Sequence, residues 1–204
     1  MNESINISST DNSINSKETN ISLSSEQSQS NQELHNKIIQ SIVSSLQEII
    51  KESIESNPNI NYKLNKKDIF LNIIPNITLE QYLNRIFKYT KMEISSLIIS
   101  IIYIDRFVAA NKYVLSYYNI YRLLLTACLL SIKFNEDIQF NMKSYAEIAG
   151  IPVELLNQLE IIMFILIRFK LYVKEEDYIT YFNYFSNYTK EKEKEKGKEK
   201  NTKK

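Results

Sequence analysis

The sequence predicts an all-α fold: five packed helices, with one further helix on each side. Two observations carry this. Two helical patterns, 94–110 and 116–134, stand back to back and are apolar almost all round. A helix of that kind must be covered on several sides, so these two form the middle of a globular domain. The segments around them repeat apolar residues at helical spacing and are bounded by residues that start or stop helices.

Residues 1–32 are mostly Ser, Asn, Thr and Gln. They bury too little apolar surface to offset the entropy of ordering, which predicts a disordered polar leader. Over 33–57, Leu34, Ile38, Ile42, Leu46, Ile49 and Ile50 recur near helical spacing, and Asn57-Pro58-Asn59 stops the pattern. This is the N-terminal flanking helix. A linker runs to about residue 68, and the apolar run after it ends at Pro75, which forbids a continuing helix.

Thr78 reads as an N-cap, and Gln81 three residues later completes a capping box. The helix it opens carries Leu79, Tyr82, Leu83 and Ile86 and ends near Lys91. The two central helices follow, separated by Asn111-Lys112-Tyr113, with Ser116 placed to cap the second. A short helix over 142–149 ends at Gly150, suited to a left-handed cap. Pro152 then sits in the first turn of a helix over 153–169. An aromatic-rich helix over 175–188 is the C-terminal flank. The Lys/Glu tail, 189–204, has no apolar face to dock and is expected to be disordered.

Composition narrows the function. Hydrophobic residues make up 44% of the 204, enough for a core in one domain. The one cysteine, Cys128, lies in an apolar helix, and the one histidine, His35, stands beside Asn36 and Lys37 on what reads as a solvent face. Neither a disulfide nor a metal cluster can be built from them, and a reducing compartment fits. With two glycines there is no phosphate-cradling loop. No nucleophile–base pair is apparent, Glu136-Asp137 reads as loop solvation, and no cofactor or metal is expected. The start of the chain lacks the basic and apolar segments of a secretory signal.

The net charge of +1 divides unevenly: −3 over residues 1–30, +4 over 190–204, and neutral between. A neutral body argues against nucleic-acid binding, which needs a basic face. A membrane span needs about 20 mostly apolar residues. Residues 94–110 carry Ser95, Ser96, Ser100, Asp105 and Arg106, so this stretch reads as a buried core helix. Asp105-Arg106 and Lys133 end the two central helices, and Glu160 interrupts an apolar run between Leu159 and Ile161. A charge so placed must reach water or meet a partner.

The helix order and the residues it carries resemble the cyclin box, most closely that of P-type cyclins, over about residues 70–185. The resemblance rests on Tyr82-Leu83-Asn84-Arg85-Ile86, Tyr103-Ile104-Asp105-Arg106-Phe107 and Asn119-Ile120-Tyr121-Arg122-Leu123. It continues through Lys133-Phe134, Tyr145-Ala146-Glu147-Ile148-Ala149 and Leu155-Leu156-Asn157-Gln158-Leu159-Glu160. The Met-Arg-Ala-Ile-Leu docking string of cell-cycle cyclins is missing, and no arginine precedes Arg85 to form a destruction box.

The resemblance implies a single five-helix cyclin box, with its C-terminal helix, over 70–188. It implies a non-catalytic subunit that forms a heterodimer with a cyclin-dependent protein kinase and activates it, in the cytoplasm, the nucleus or both. Lys133 and Glu160 match the family's kinase-contacting pair. Leu130, Phe134, Phe164 and Leu171 match positions lining a socket for an apolar side chain of the kinase, on the third and fifth box helices. Arg85 and Asp105 match positions that pair inside the box. The alternative is a transcription-factor-like module of the same fold that binds DNA or other proteins.

Overall fold

In the computed structural model of the chain, residues 11–58 and 68–202 are described, with side chains over 29–58 and 68–188. The helices are α1 (Asp11–Ser56), α2 (Leu79–Thr90), α3 (Ile94–Asn111), α4 (Ile120–Asn135), α5 (Met142–Ala149), α6 (Val153–Leu166) and α7 (Glu175–Thr202). Among the described residues there is no strand, in keeping with the all-α class. Most of the expected linker, 59–67, lies outside the described residues.

The α3–α4 pair is the centre. Leu97, Ile98, Tyr103, Ile104 and Phe107 of α3 are fully enclosed, as are Ile120, Leu123, Leu124 and Ala127 of α4. Each buried side chain of the larger kind contributes roughly 1.5–3 kcal/mol relative to exposure. Small polar residues sit where the two helices meet. The Ser131 hydroxyl donates to the Ser96 carbonyl at 2.7 Å, and Cys128 Sγ lies 3.6 Å from Ser100 Oγ. α4 also packs on α6 and α2, α5 bridges α2 and α6, and the α1–α7 pair lies against α2 and α3. By length and composition alone α3 is apolar enough to cross a membrane. Here half of it is buried in the fold, Ser96 and Ser100 included, and it packs on α4, α6 and α7.

Local signals in the sequence are used as their chemistry dictates. The Gln81 amide donates to Thr78 Oγ1 at 3.1 Å while the Thr78 amide donates to Gln81 Oε1 at 3.2 Å, so the capping box closes in both directions. Asn141 Oδ1 caps α5 by accepting from the Ser144 amide, and Gly150 ends it at φ 71°.

Four expectations are revised. Ser116 does not cap α4 with its hydroxyl, which is buried without a hydrogen bond. Its carbonyl instead accepts from the Asn119 and Ile120 amides, and Asn119 Oδ1 accepts from the Ser116 amide, so a turn is completed before α4 begins. α6 stops at Leu166 rather than 169, because Arg168 and Phe169 take left-handed φ values of 57° and 59°. His35 is half-buried and meets the Phe87 ring edge-on at 6.1 Å. Finally, α1 reaches back to Asp11 and α7 on to Thr202, through stretches whose composition predicts disorder. Adding a residue to an existing helix avoids the cost of nucleation. Both extensions continue segments docked by apolar residues: Ile38, Ile42, Leu46 and Ile50 in α1, Phe185 and Tyr188 in α7. Residues 1–10 and 203–204 of the expected tails lie outside the described residues.

Candidate functional site

The last turn of α4 and the middle of α6 lie side by side, and the chain after α6 folds back beside them. Leu130, Lys133, Phe134, Glu160, Ile161, Phe164 and Leu171 line the resulting open groove of about 670 Å³. Leu130 and Phe134 share one face of α4 through their four-residue spacing, and Glu160 and Phe164 share one face of α6. All six positions that the resemblance assigns to kinase contact therefore converge on one groove.

The groove is apolar with a charged centre. Lys133 Nζ donates to both oxygens of Glu160, at 2.6 and 2.8 Å. Their side chains are 32% and 19% exposed, so the pair is neither a free surface bridge nor sealed inside. Lys133 lies in the last turn of α4, where the helix dipole favours a cation. An ammonium has three donor hydrogens and a carboxylate about four acceptor sites. Holding one another, the two groups retain capacity for a partner's carbonyl and amide. Beside them in the groove, Phe134 and Ile161 are each more than half exposed. Exposed large apolar side chains in one concave groove are the kind of feature that interaction sites share.

The lip of the groove is built by the left-handed turn after α6. The Phe169 amide donates to the Phe164 carbonyl at 3.0 Å, which sets the two rings edge to face at 4.8 Å. α3 then staples the returning strand of chain. Arg106 Nη1 donates to the carbonyls of Lys170 and Tyr172 at 2.7 and 2.9 Å, and the Tyr103 hydroxyl donates to that of Leu171 at 2.8 Å. The same device recurs at the other end of the box. Tyr121 donates to the Ile77 carbonyl, and Arg122 to those of Ile69 and Leu71. Tyr103, Arg106, Tyr121 and Arg122 of the two central motifs are thus explained as clamps on irregular backbone. The α4 terminus is fixed as well, since the Gln139 amide nitrogen donates to the carbonyls of Lys133 and Glu136. The Glu136 carboxylate reaches across to the Glu93 amide at the start of α3.

One expected contact is absent. Arg85 is exposed on α2 and makes no ion pair with Asp105. Asp105 accepts instead from the Tyr181 hydroxyl of α7 at 2.6 Å. Burial pushes its carboxyl above the usual carboxylate range, and the Tyr181 hydrogen bond offsets part of that. Sequence reasoning also missed Ile161, which lines the groove, and Phe169, which packs on the groove residue Phe164. Ile161 is three residues before Phe164, so helical spacing carried its signal. Phe169 had none, because its place depends on backbone that non-glycine residues seldom adopt.

Comparison with known proteins bears on the same stretch. The family model described as Cyclin matches residues 2–171. The chain is 32% identical to Cyclin-U4-3 of Arabidopsis thaliana over 146 residues, covering 71% of this chain and 66% of that protein. It is 32% identical to Cyclin-U2-1 of the same plant over 145 residues, 69% of this chain and 65% of that protein. Cyclin-P3-1 of Oryza sativa subsp. japonica is 30% identical over 107 residues, 52% of this chain and 45% of that protein. The chain thus spans just under two thirds of the length of the first two relatives, and the likeness extends to relatives with both U and P designations.

Proposed function

Since this chain belongs to the cyclin family, we propose that it is a non-catalytic regulatory subunit that binds and activates a cyclin-dependent protein kinase through the α4–α6 groove. The observation that carries the reading is the Lys133–Glu160 pair set in an apolar groove instead of on a polar surface. An apolar side chain of the kinase's regulatory helix fills the socket between Leu130, Phe134, Phe164 and Leu171. Buried anchors of this type supply most of an interface's energy. Lys133 and Glu160 hydrogen-bond the kinase backbone beside it and set its orientation.

Activation then follows from population shift. A kinase needs its active-site lysine paired with a glutamate of the regulatory helix to position phosphate. A partner that binds only the conformer with that pair formed moves the population toward it. The chain's own residues act by binding and orienting; the phosphoryl transfer belongs to the kinase. The complex is a heterodimer working in the cytoplasm, the nucleus or both.

The test is reconstitution. Purified full-length protein is titrated into a panel of purified monomeric cyclin-dependent kinases, with peptide phosphorylation and co-elution as readouts. The reading expects at least one kinase to co-elute and gain activity, and no ATP turnover by the protein alone. Failure to bind or activate any member, or ATP turnover without a kinase, would overturn it.

A further inference from the structure

A second cavity lies away from the α4–α6 groove, between α1, α3 and α7. Ile42, Leu46, Ile101 and Phe185 form buried apolar walls, and Ile49 and Tyr184 stand partly exposed at its mouth. Asp105 also lines it. This carboxylate is the polar feature that needs explaining. Its Oδ2 accepts from Tyr181, which itself lines the cavity. Among the described residues, Oδ1 receives no hydrogen bond and no cation lies within ion-pairing distance. The neighbouring Arg106 does not serve, because its guanidinium is committed to the Lys170 and Tyr172 carbonyls and to Asp177. Asp105 is half-buried, and a carboxylate set against apolar walls is stabilised by a cation that pairs with it.

We propose that this cavity is a ligand site for a small amphiphilic cation: a protonated amine carried on an apolar body, its head on Asp105 and its body against Ile42, Leu46, Ile101 and Phe185. Charge complementarity fixes the head, because the wall offers one anion and no competing cation. Size limits the ligand, since the cavity, about 280 Å³, sits at the lower edge of the range of small-molecule pockets and admits only a small amine. Thr180 and the Ser45 and Tyr184 hydroxyls, the latter two 3.4 Å apart, supply the remaining polar edge.

The test uses three probes of one shape on full-length protein: 4-phenylbutylamine, 4-phenylbutanol and 4-phenylbutyrate, each titrated while amide NMR shifts are followed. The amine should move amides of α1 and α7 around the cavity and bind roughly tenfold or more tighter than the alcohol, the usual gain for a hydrogen bond to a charged group. The butyrate should be weakest. Asp105→Asn should abolish the preference for amine over alcohol. Ile49→Lys adds a tethered ammonium at a position already 38% exposed, so the fold tolerates it, and it should block the amine probe. The proposal is overturned if no probe moves these amides, if the amine and alcohol bind alike, or if a folded Ile49→Lys variant binds the amine as the wild type does.

Discussion

Replacing Arg106 with methionine tests whether the groove's lip is held from α3. Methionine keeps much of the apolar stem and removes the guanidinium. Two charge-assisted hydrogen bonds are lost, to the Lys170 and Tyr172 carbonyls. In full burial each contributes about 1.5–3 kcal/mol. The Arg106 side chain is 24% exposed, and water replaces part of that, leaving about 1 kcal/mol for each. The Asp177 contact, at 4.0 Å with an acid 52% exposed, adds little. The expected loss is therefore about 2 kcal/mol, a fall in Tm of roughly 4–8 °C for a protein of this size. The turn it releases holds Arg168 and Phe169 in left-handed backbone, which costs about 1–2 kcal/mol per residue. Strain of that size, no longer opposed, relaxes the turn. Amide hydrogen exchange over 168–173 should rise more than at the α3–α4 centre, and kinase affinity should fall with it. Unchanged Tm, together with wild-type protection over 168–173, would refute the clamp.

Two further outcomes follow from buried groups. Asp105 has its folded pKa raised by burial, so its ionised form opposes folding at neutral pH, and protonation relieves the penalty as pH falls. Asp105→Asn should therefore melt higher than wild type at pH 7, and the difference should shrink toward pH 4, as thermal unfolding at several pH values would show. A difference that widens on acidification would contradict the assignment. Burial holds the Cys128 thiol at a pKa of about 12 and away from solvent. A thiol reagent at pH 8 should leave the native protein unmodified and label one thiol after denaturation; rapid labelling of folded protein would place Cys128 outside the core.

What the sequence made legible is local and periodic. α2 and α5 were legible because Thr78 with Gln81, and Gly150, act through neighbours a few residues away. The apolar content of α3 and α4 marked them as central, since no one-sided packing could cover it. The groove residues were legible as a set because α4 and α6 are regular: once the helices stand side by side, four-residue spacing brings Leu130, Phe134, Glu160 and Phe164 together. What depends on distant geometry was not. Arg85 and Asp105 have the charges for a pair but point to different surroundings, one to water and one to α7. The reach of α1 to Asp11 follows from its docked part and leaves no mark in the polar residues themselves. Asp105-Arg106 stood out as charges the core could not explain, and their partners, Tyr181 and the Lys170 and Tyr172 carbonyls, lie far along the chain.

The central claim is tested most directly by measuring kinase affinity and activation for Lys133→Ala and Glu160→Ala, using a kinase that the wild-type chain activates. Truncating one partner of a desolvated charged pair costs about 2–5 kcal/mol of binding, roughly thirtyfold or more. Each variant should lose at least that much affinity and most of the activation. Helix content and Tm should stay near wild type, because both side chains keep some access to water. Lys37→Ala, on the exposed face of α1, should bind as wild type does. If both groove variants stay folded and still bind and activate the kinase normally, the α4–α6 groove is not the kinase site.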